Sequence, residues 1–249
     1  MINIDEIRKK HEQLLKSQGG GGSSFSENFL RVEKGTTPVR ILPGADEDQA
    51  FFAETKIHRI PEDINDPKSN VKNYHCPKVK GESCPICDTY YALWKTGVSS
   101  DEKIARKIKP NARFYMNVLD RNNSDAVKIF STGITVFNKI LNTILDEDYG
   151  DITDLDEGFD FKIVKVQEPG DQWPKYDQSQ ARPKSSKVKN QGEVMDNLHD
   201  LGALISYSDY DTLRKVADNI ASQSSLQHEI AEQNAEVGSD EDYEERLRD

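Results

Sequence analysis

Arg113-Phe114-Tyr115-Met116-Asn117-Val118-Leu119-Asp120, then Arg121-Asn122-Asn123-Ser124-Asp125, then Val127-Lys128-Ile129-Phe130, reads as strand, turn and returning strand. Phe114, Met116 and Val118 alternate with Tyr115, Asn117 and Leu119, the period of two that sends successive side chains to opposite faces of a sheet. Asn and Asp between two apolar runs supply the turn chemistry of a hairpin. One face of the first strand has to be core, so either Phe114 or Tyr115 is packing. Tyr115 shares its face with Asn117 and is the one expected to be exposed.

Working outward, Val39-Arg40-Ile41-Leu42-Pro43-Gly44 reads as a strand ending in a turn, and Phe51 to Ile60 as another. Phe159 to Gln167 alternates again. Asp88 to Lys95 reads as a short helix stopped by Gly97, and Ile134, Phe137, Leu141, Ile144 and Leu145 give 134–146 a helical apolar face. The polar, Pro-containing stretch Glu168–Asn190 reads as a long loop, of the kind that binds something or is disordered. Val194–Ile205 and Tyr210–Ile220 read as helices, the second capped by Ser208 or Asp209. The fold class is therefore mixed α+β.

The ends differ from this body. Residues 3–16 form an amphipathic pattern, with Ile4, Ile7, Leu14 and Leu15 opposite Arg8, Lys9, Lys10 and Lys16, and Gly19-Gly20-Gly21-Gly22-Ser23-Ser24 follows as a tether. The organisation expected is a basic arm at 1–18, a linker at 19–28, a folded body at 29–222 and an acidic, disordered tail at 223–249. Only 35% of the 249 residues are hydrophobic while 31% are charged, which fits a body with solvated appendages. No apolar run reaches membrane-spanning length and the start lacks a signal-peptide layout, so cytoplasm is the expected location.

The net charge of −11 conceals strong segregation. Lys103, Arg106, Lys107, Lys109, Arg113, Arg121 and Lys128 face only Asp120 and Asp125 in their stretch. Lys162, Lys165, Lys175, Arg182, Lys184, Lys187 and Lys189 face three acids in theirs, whereas nine acids oppose two arginines beyond Leu226. Aromatics lie among the cations: Phe114 and Tyr115, Phe130, Trp173 and Tyr176, with Tyr90, Tyr91 and Trp94 earlier. Stacking on bases is indifferent to sequence and Lys or Arg follows phosphates, so this interleaving suits a single-strand groove. The residues expected to bind DNA are Arg106, Lys107, Lys109, Arg113, Tyr115, Phe130, Trp173, Lys175 and Tyr176.

All three cysteines lie between Cys76 and Cys87, which argues for a metal rather than a disulfide framework. Cys84-Pro85-Ile86-Cys87 turns two sulfurs toward one cation, and zinc takes thiolates tetrahedrally. The fourth ligand is His58 or His75. His58 is preferred, because adjacent residues such as 75 and 76 seldom turn both side chains to one metal. Four protein ligands leave no position for water, so one zinc would be structural, within a subdomain at about 58–97. There is no Walker loop, Gly-x-Ser-x-Gly or His-Glu-x-x-His, which argues against an enzyme. A zinc-stabilised protein–protein adaptor of a replication or transcription complex, acting through helices at 194–220, is the rival to DNA binding.

Val39-Arg40-Ile41-Leu42-Pro43, Phe52-Ala53 leading to His58, Cys84-Pro85-Ile86-Cys87, Tyr115-Met116-Asn117-Val118-Leu119, Phe137-Asn138-Lys139-Ile140, Phe161-Lys162-Ile163-Val164-Lys165-Val166 and Tyr176-Asp177 occur in an order that resembles the single-stranded DNA-binding, helix-destabilising proteins of T4-like bacteriophages. The resemblance implies an OB-fold-like β-barrel core with a zinc subdomain and a positively charged cleft. It implies a protein of phage DNA replication, recombination and repair, working in the cytoplasm of an infected bacterial host. An N-terminal arm would mediate cooperative self-association along the strand, and the acidic C-terminal tail would contact polymerase and helicase loader. The resemblance also implies His58, Cys76, Cys84 and Cys87 as ligands, and Tyr115, Phe130, Trp173 and Tyr176 as stacking positions. Two features depart from the family: His11-Glu12 follows Arg8-Lys9-Lys10 where it has Ser or Thr, and Gly81-Glu82-Ser83 precedes the CxxC where it has an aromatic.

Overall fold

A computed structural model describes residues 27–225 except Glu47 and Ser124, so the expected arm at 3–16, the glycine tether and the acidic tail beyond 225 lie outside the described residues. The described chain divides into two compact units. A sheet unit takes the residues up to Glu54 together with Arg113–Leu204, and a knuckle unit takes Thr55–Ala112 together with Ile205 onward.

In the sheet unit, β1 (Gly35–Ile41) lies between β4 (Asn111–Asp120) and β6 (Phe159–Lys165), antiparallel to both. β4 also pairs with β5 (Ala126–Thr132), the hairpin expected from the sequence, in the register Met116↔Phe130 and Tyr115↔Ser131. β7 (Gln180–Ser185) adds to β6 through a bulge between Phe159 and Phe161. No pairing among the described strands closes this antiparallel order into a barrel. The α+β class is as the sequence suggests.

The register assigns the faces of the hairpin. Phe114, Met116, Val118 and Phe130 share one, and Phe114 stacks flat on Phe137 of α3 (Ile134–Ile144) at 3.7 Å between ring centroids. Phe52 closes edge-on to both rings. On the other face Leu119 packs with Leu42, Val188 and Val194, the last from α4 (Gln191–Asp196). Asn117 is tied to the backbone of His199 in both directions, its Nδ2 donating to the carbonyl and its Oδ1 accepting from the amide, each at 3.0 Å. The expectation that Tyr115 and Asn117 look into solvent is therefore not met. Residues 188–199, far along the chain, pack on Leu119 and Asn117 of that face, and Tyr115 is only 7% exposed.

A polar cluster is also buried in this unit. Arg40, fully buried on β1, places Nη1 3.9 Å from Asp160 and 3.3 Å from Ser186 Oγ, and Nη2 donates to the Asp154 carbonyl. Arg121 donates to the same Asp160 oxygen from Nε and Nη2 at 3.0 and 2.9 Å, and from Nη1 to Asp125 at 2.9 Å. Gly158 leaves room for this: a Cβ there would sit 2.7 Å from Arg40 Nη2 and 2.5 Å from the Asp154 carbonyl oxygen.

In the knuckle unit β2 (Phe52–Pro61) pairs with β3 (Val71–His75), placing His58 opposite Tyr74. A 3-10 turn at Pro77–Lys80, closed by Gly81 at φ +80°, leads to α1 (Pro85–Lys95) and α2 (Ser99–Ile108). α5 (Tyr210–Ser222) returns from late in the chain, and Asp209 caps it by accepting from the Thr212 amide at 2.7 Å. Ile86, Leu93, Ile104, Ile108, Leu213 and Ile220 join the cysteines in one buried cluster.

Two sequence expectations need correction. Glu168–Asn190 is not wholly loop, since it contains β7 and a bridge between Val166 and Lys175. Val194–Ile205 is not one helix but α4 followed by a 3-10 turn at Gly202–Leu204. No helix among the described residues is long and apolar enough to cross a membrane.

Candidate metal centre and nucleic-acid interface

Two backbone devices gather the candidate ligands. The β2–β3 pairing brings Cys76, one residue past β3, close to β2, where its amide donates to the Lys56 carbonyl at 2.8 Å. Pro85 at the first position starts α1, so Cys84 is the N-cap and Cys87 lies in the first turn. His58, Cys76, Cys84 and Cys87 are all buried, and their ligand atoms lie within 4.8 Å of one another.

The spacings fit a single tetrahedral cation. Cys76 and Cys87 sulfurs are 3.5 Å apart, and His58 Nε2 is 3.5 Å from the sulfurs of both Cys84 and Cys87. A tetrahedron with zinc–ligand bonds near 2.0–2.3 Å has edges of about 3.6–3.8 Å. A disulfide would need sulfurs at about 2.05 Å, and all three cysteines are free. On the other side of the ring, His58 Nδ1 donates to the Ile108 carbonyl at 2.8 Å, which leaves Nε2 aimed at the sulfurs. That carbonyl, at the end of α2, has no signature in the sequence. His75 is not in the cluster; its Nδ1 lies 3.1 Å from Thr55 Oγ1 and its ring meets Tyr207 edge-on.

The four side chains shift one another's protonation strongly. Burial would lower the His58 pKa, but hydrogen bonds with Cys76, Cys84 and the Ile108 carbonyl lift it to about 9. Hydrogen bonds from Cys84 and Cys87 hold Cys76 far below the usual thiol range. Hydrogen bonds with Cys76 and Cys84, together with burial, push Cys87 far above it. A bound metal ion replaces such shared protons.

The residues expected to bind DNA divide between the units. In the sheet unit Arg113 lies close enough to Tyr115 and Tyr176 to oppose the rise that burial causes in both phenol pKa values. The loop after β6 is clipped by paired backbone hydrogen bonds between Val166 and Lys175, at 2.8 and 2.9 Å, and it presents Trp173 at 67% exposure. Lys175 Nζ lies 2.8 Å from Asp171 in an exposed pair. Phe130 does not join this group, because it shares a face with Met116 and is 3% exposed. As folded, neither Tyr115 nor Phe130 offers a ring to a base. Among the other basic residues, Arg121 is engaged with Asp160 and Asp125, and Lys128 donates to the Glu27 carbonyl.

In the knuckle unit Arg106 and Lys107 are exposed on α2 and Lys109 follows its end. Arg106 lies 3.6 Å from Glu102 and its guanidinium stands 5.3 Å from the Trp94 ring centre. Lys107 Nζ donates to the Ile64 carbonyl at 2.5 Å.

Residues 33–223 match the protein-family model described as gp32 DNA binding protein like. A search of curated proteins finds no significant match.

Proposed function

Because the chain belongs to the gp32-like family of DNA-binding proteins, we propose that it coats single-stranded DNA without reading its sequence. The observation that carries this reading is the extent of the match, which takes in both units and nearly the whole described chain. The role is binding, not catalysis. Arg113, Lys175, Arg106, Lys107 and Lys109 neutralise phosphates, while Trp173 and Tyr176 give faces on which bases stack. The exposed Lys175–Asp171 pair contributes little in water, so a phosphate displaces Asp171 at small cost. Because the unpaired strand is the ligand, binding draws duplex toward melting by mass action.

One zinc ion, held by His58, Cys76, Cys84 and Cys87, is structural in this proposal, and when bound it supplies a four-way cross-link. An OB-like core is part of the same reading, supported by the antiparallel sheet with α3 against it. So are replication, recombination and repair of phage DNA in an infected host, cooperative self-association through the arm at 1–18, and contact of the tail with polymerase or helicase loader. No observation favours the adaptor reading, whose expected helix at 194–205 is mostly irregular.

The test is titration of an oligo-dT strand while salt is varied. Affinity should fall linearly on a log–log plot, and Arg113→Ala should reduce the slope by about 0.7, the loss of one phosphate contact. No binding in dilute buffer would end this reading.

A further inference from the structure

Helix α1 carries an aromatic face that the metal centre does not use. Tyr91 and Trp94 are one turn apart and remain 53% and 44% exposed, although Leu93 beside them is fully buried. Tyr90 packs edge-on against Tyr91 at 4.9 Å and lies 6.4 Å from Trp94. A cation stands over each exposed ring. Lys78 Nζ is 5.3 Å from the Tyr91 centre, and the Arg106 guanidinium is at the same distance from Trp94.

Three elements build this arrangement. The 3-10 turn after Cys76 presents Lys78, α1 presents the rings, and α2 presents Arg106. Each cation also meets a carboxylate, Asp88 at 3.0 Å and Glu102 at 3.6 Å. Those pairs are exposed and readily exchanged for a phosphate. Lys80, Lys95, Lys103 and Lys107 are exposed on the same three elements. Flat faces with cations beside them, on a surface with spare positive charge, match an unpaired polynucleotide: bases on the rings, phosphates on the cations.

We propose that Tyr91 and Trp94, with Lys78 and Arg106, form a base-stacking platform on the knuckle unit, so that the metal-bearing unit itself grips the strand. This rests on the single-strand reading above, shares Arg106 with it, and adds Tyr91, Trp94 and Lys78. An acidic peptide would satisfy the cations but leaves the paired rings without a role.

The chain has two tryptophans, one in each unit, which makes the platform separately observable. In Trp173→Phe the remaining emission comes from Trp94, while binding of a labelled oligo-dT is followed independently by its anisotropy. Saturating DNA should quench Trp94. Trp94→Ala should weaken binding about tenfold and Trp94→Phe should restore most of it, because a flat ring is retained. If the oligomer binds while Trp94 emission stays unmoved and Trp94→Ala binds like Trp94→Phe, the platform is refuted and the single-strand reading stands. If no oligomer binds in dilute buffer, both fall together. Should Trp94→Ala misfold, the quenching measurement decides, since it keeps the platform intact.

Discussion

The sheet unit and the knuckle unit each bury a polar cluster, and they neutralise it by different means. Around Arg40 the opposing charges are all protein: Asp160 accepts from Arg121, Arg40 lies within ion-pair range, and Ser186 and the Asp154 carbonyl take further donors. Around His58 the partners are three thiols, with no Lys or Arg among the four, a donor set suited to one cation from outside. The comparison teaches that one unit balances its buried charge from its own residues, while the other gathers four side chains positioned to bind one metal ion.

Removing the metal should break the comparison most severely. A structural zinc site can contribute on the order of 10 kcal/mol, so chelation should unfold the knuckle unit and expose its three thiols to alkylation. Hydrogen-exchange protection in β1 and β6 should survive. Purified protein should carry one zinc per chain by elemental analysis, and metal-free protein that keeps its thiols protected would overturn the scheme. The internal cluster should respond to loss of Arg40. Arg40→Ala leaves a void and removes one of the two cations from Asp160, an expected cost of about 3 kcal/mol in urea unfolding. Arg40→Met fills most of the space and keeps the Arg121–Asp160 pair, so it should cost less. Equal losses would mean that charge, not packing, dominates there. The smallest effect should come from Asp209→Ala, which removes the cap of α5 for about 1 kcal/mol. That loss should register in Trp94 emission and not in Trp173.

Much of this was legible in local pattern. The alternation from Phe114 to Leu119 and the turn residues after it gave the hairpin, and the clustering of Cys76, Cys84 and Cys87 pointed to the candidate metal site. The argument that neighbours rarely share a metal correctly separated His58 from His75. What escaped depended on distant partners. α2 begins with no side-chain cap and carries few apolar residues in Ser99–Ile108, so it reads as a charged run. β7 contains Pro183, which counts against a strand until β6 is there to pair with it. Nothing around Val39-Arg40-Ile41 announces that Arg40 is buried, because Asp160 and Ser186 come from elsewhere in the chain. The face that Tyr115 shares with Asn117 and Leu119 was misjudged for the same reason, since residues 188–199 pack on those two neighbours.

The knuckle unit is discontinuous in sequence, and this has a consequence for biosynthesis. Its four metal donors leave the ribosome together, within the stretch from His58 to Cys87, and they can capture an ion early. Leu213, Ala217 and Ile220, which complete the hydrophobic packing, emerge only after the whole sheet unit has been made. Until then a captured ion would be the principal restraint on the nascent segment. Zinc-starved cells should therefore accumulate chains that are cleaved between residues 55 and 112, before α5 has a surface to dock on.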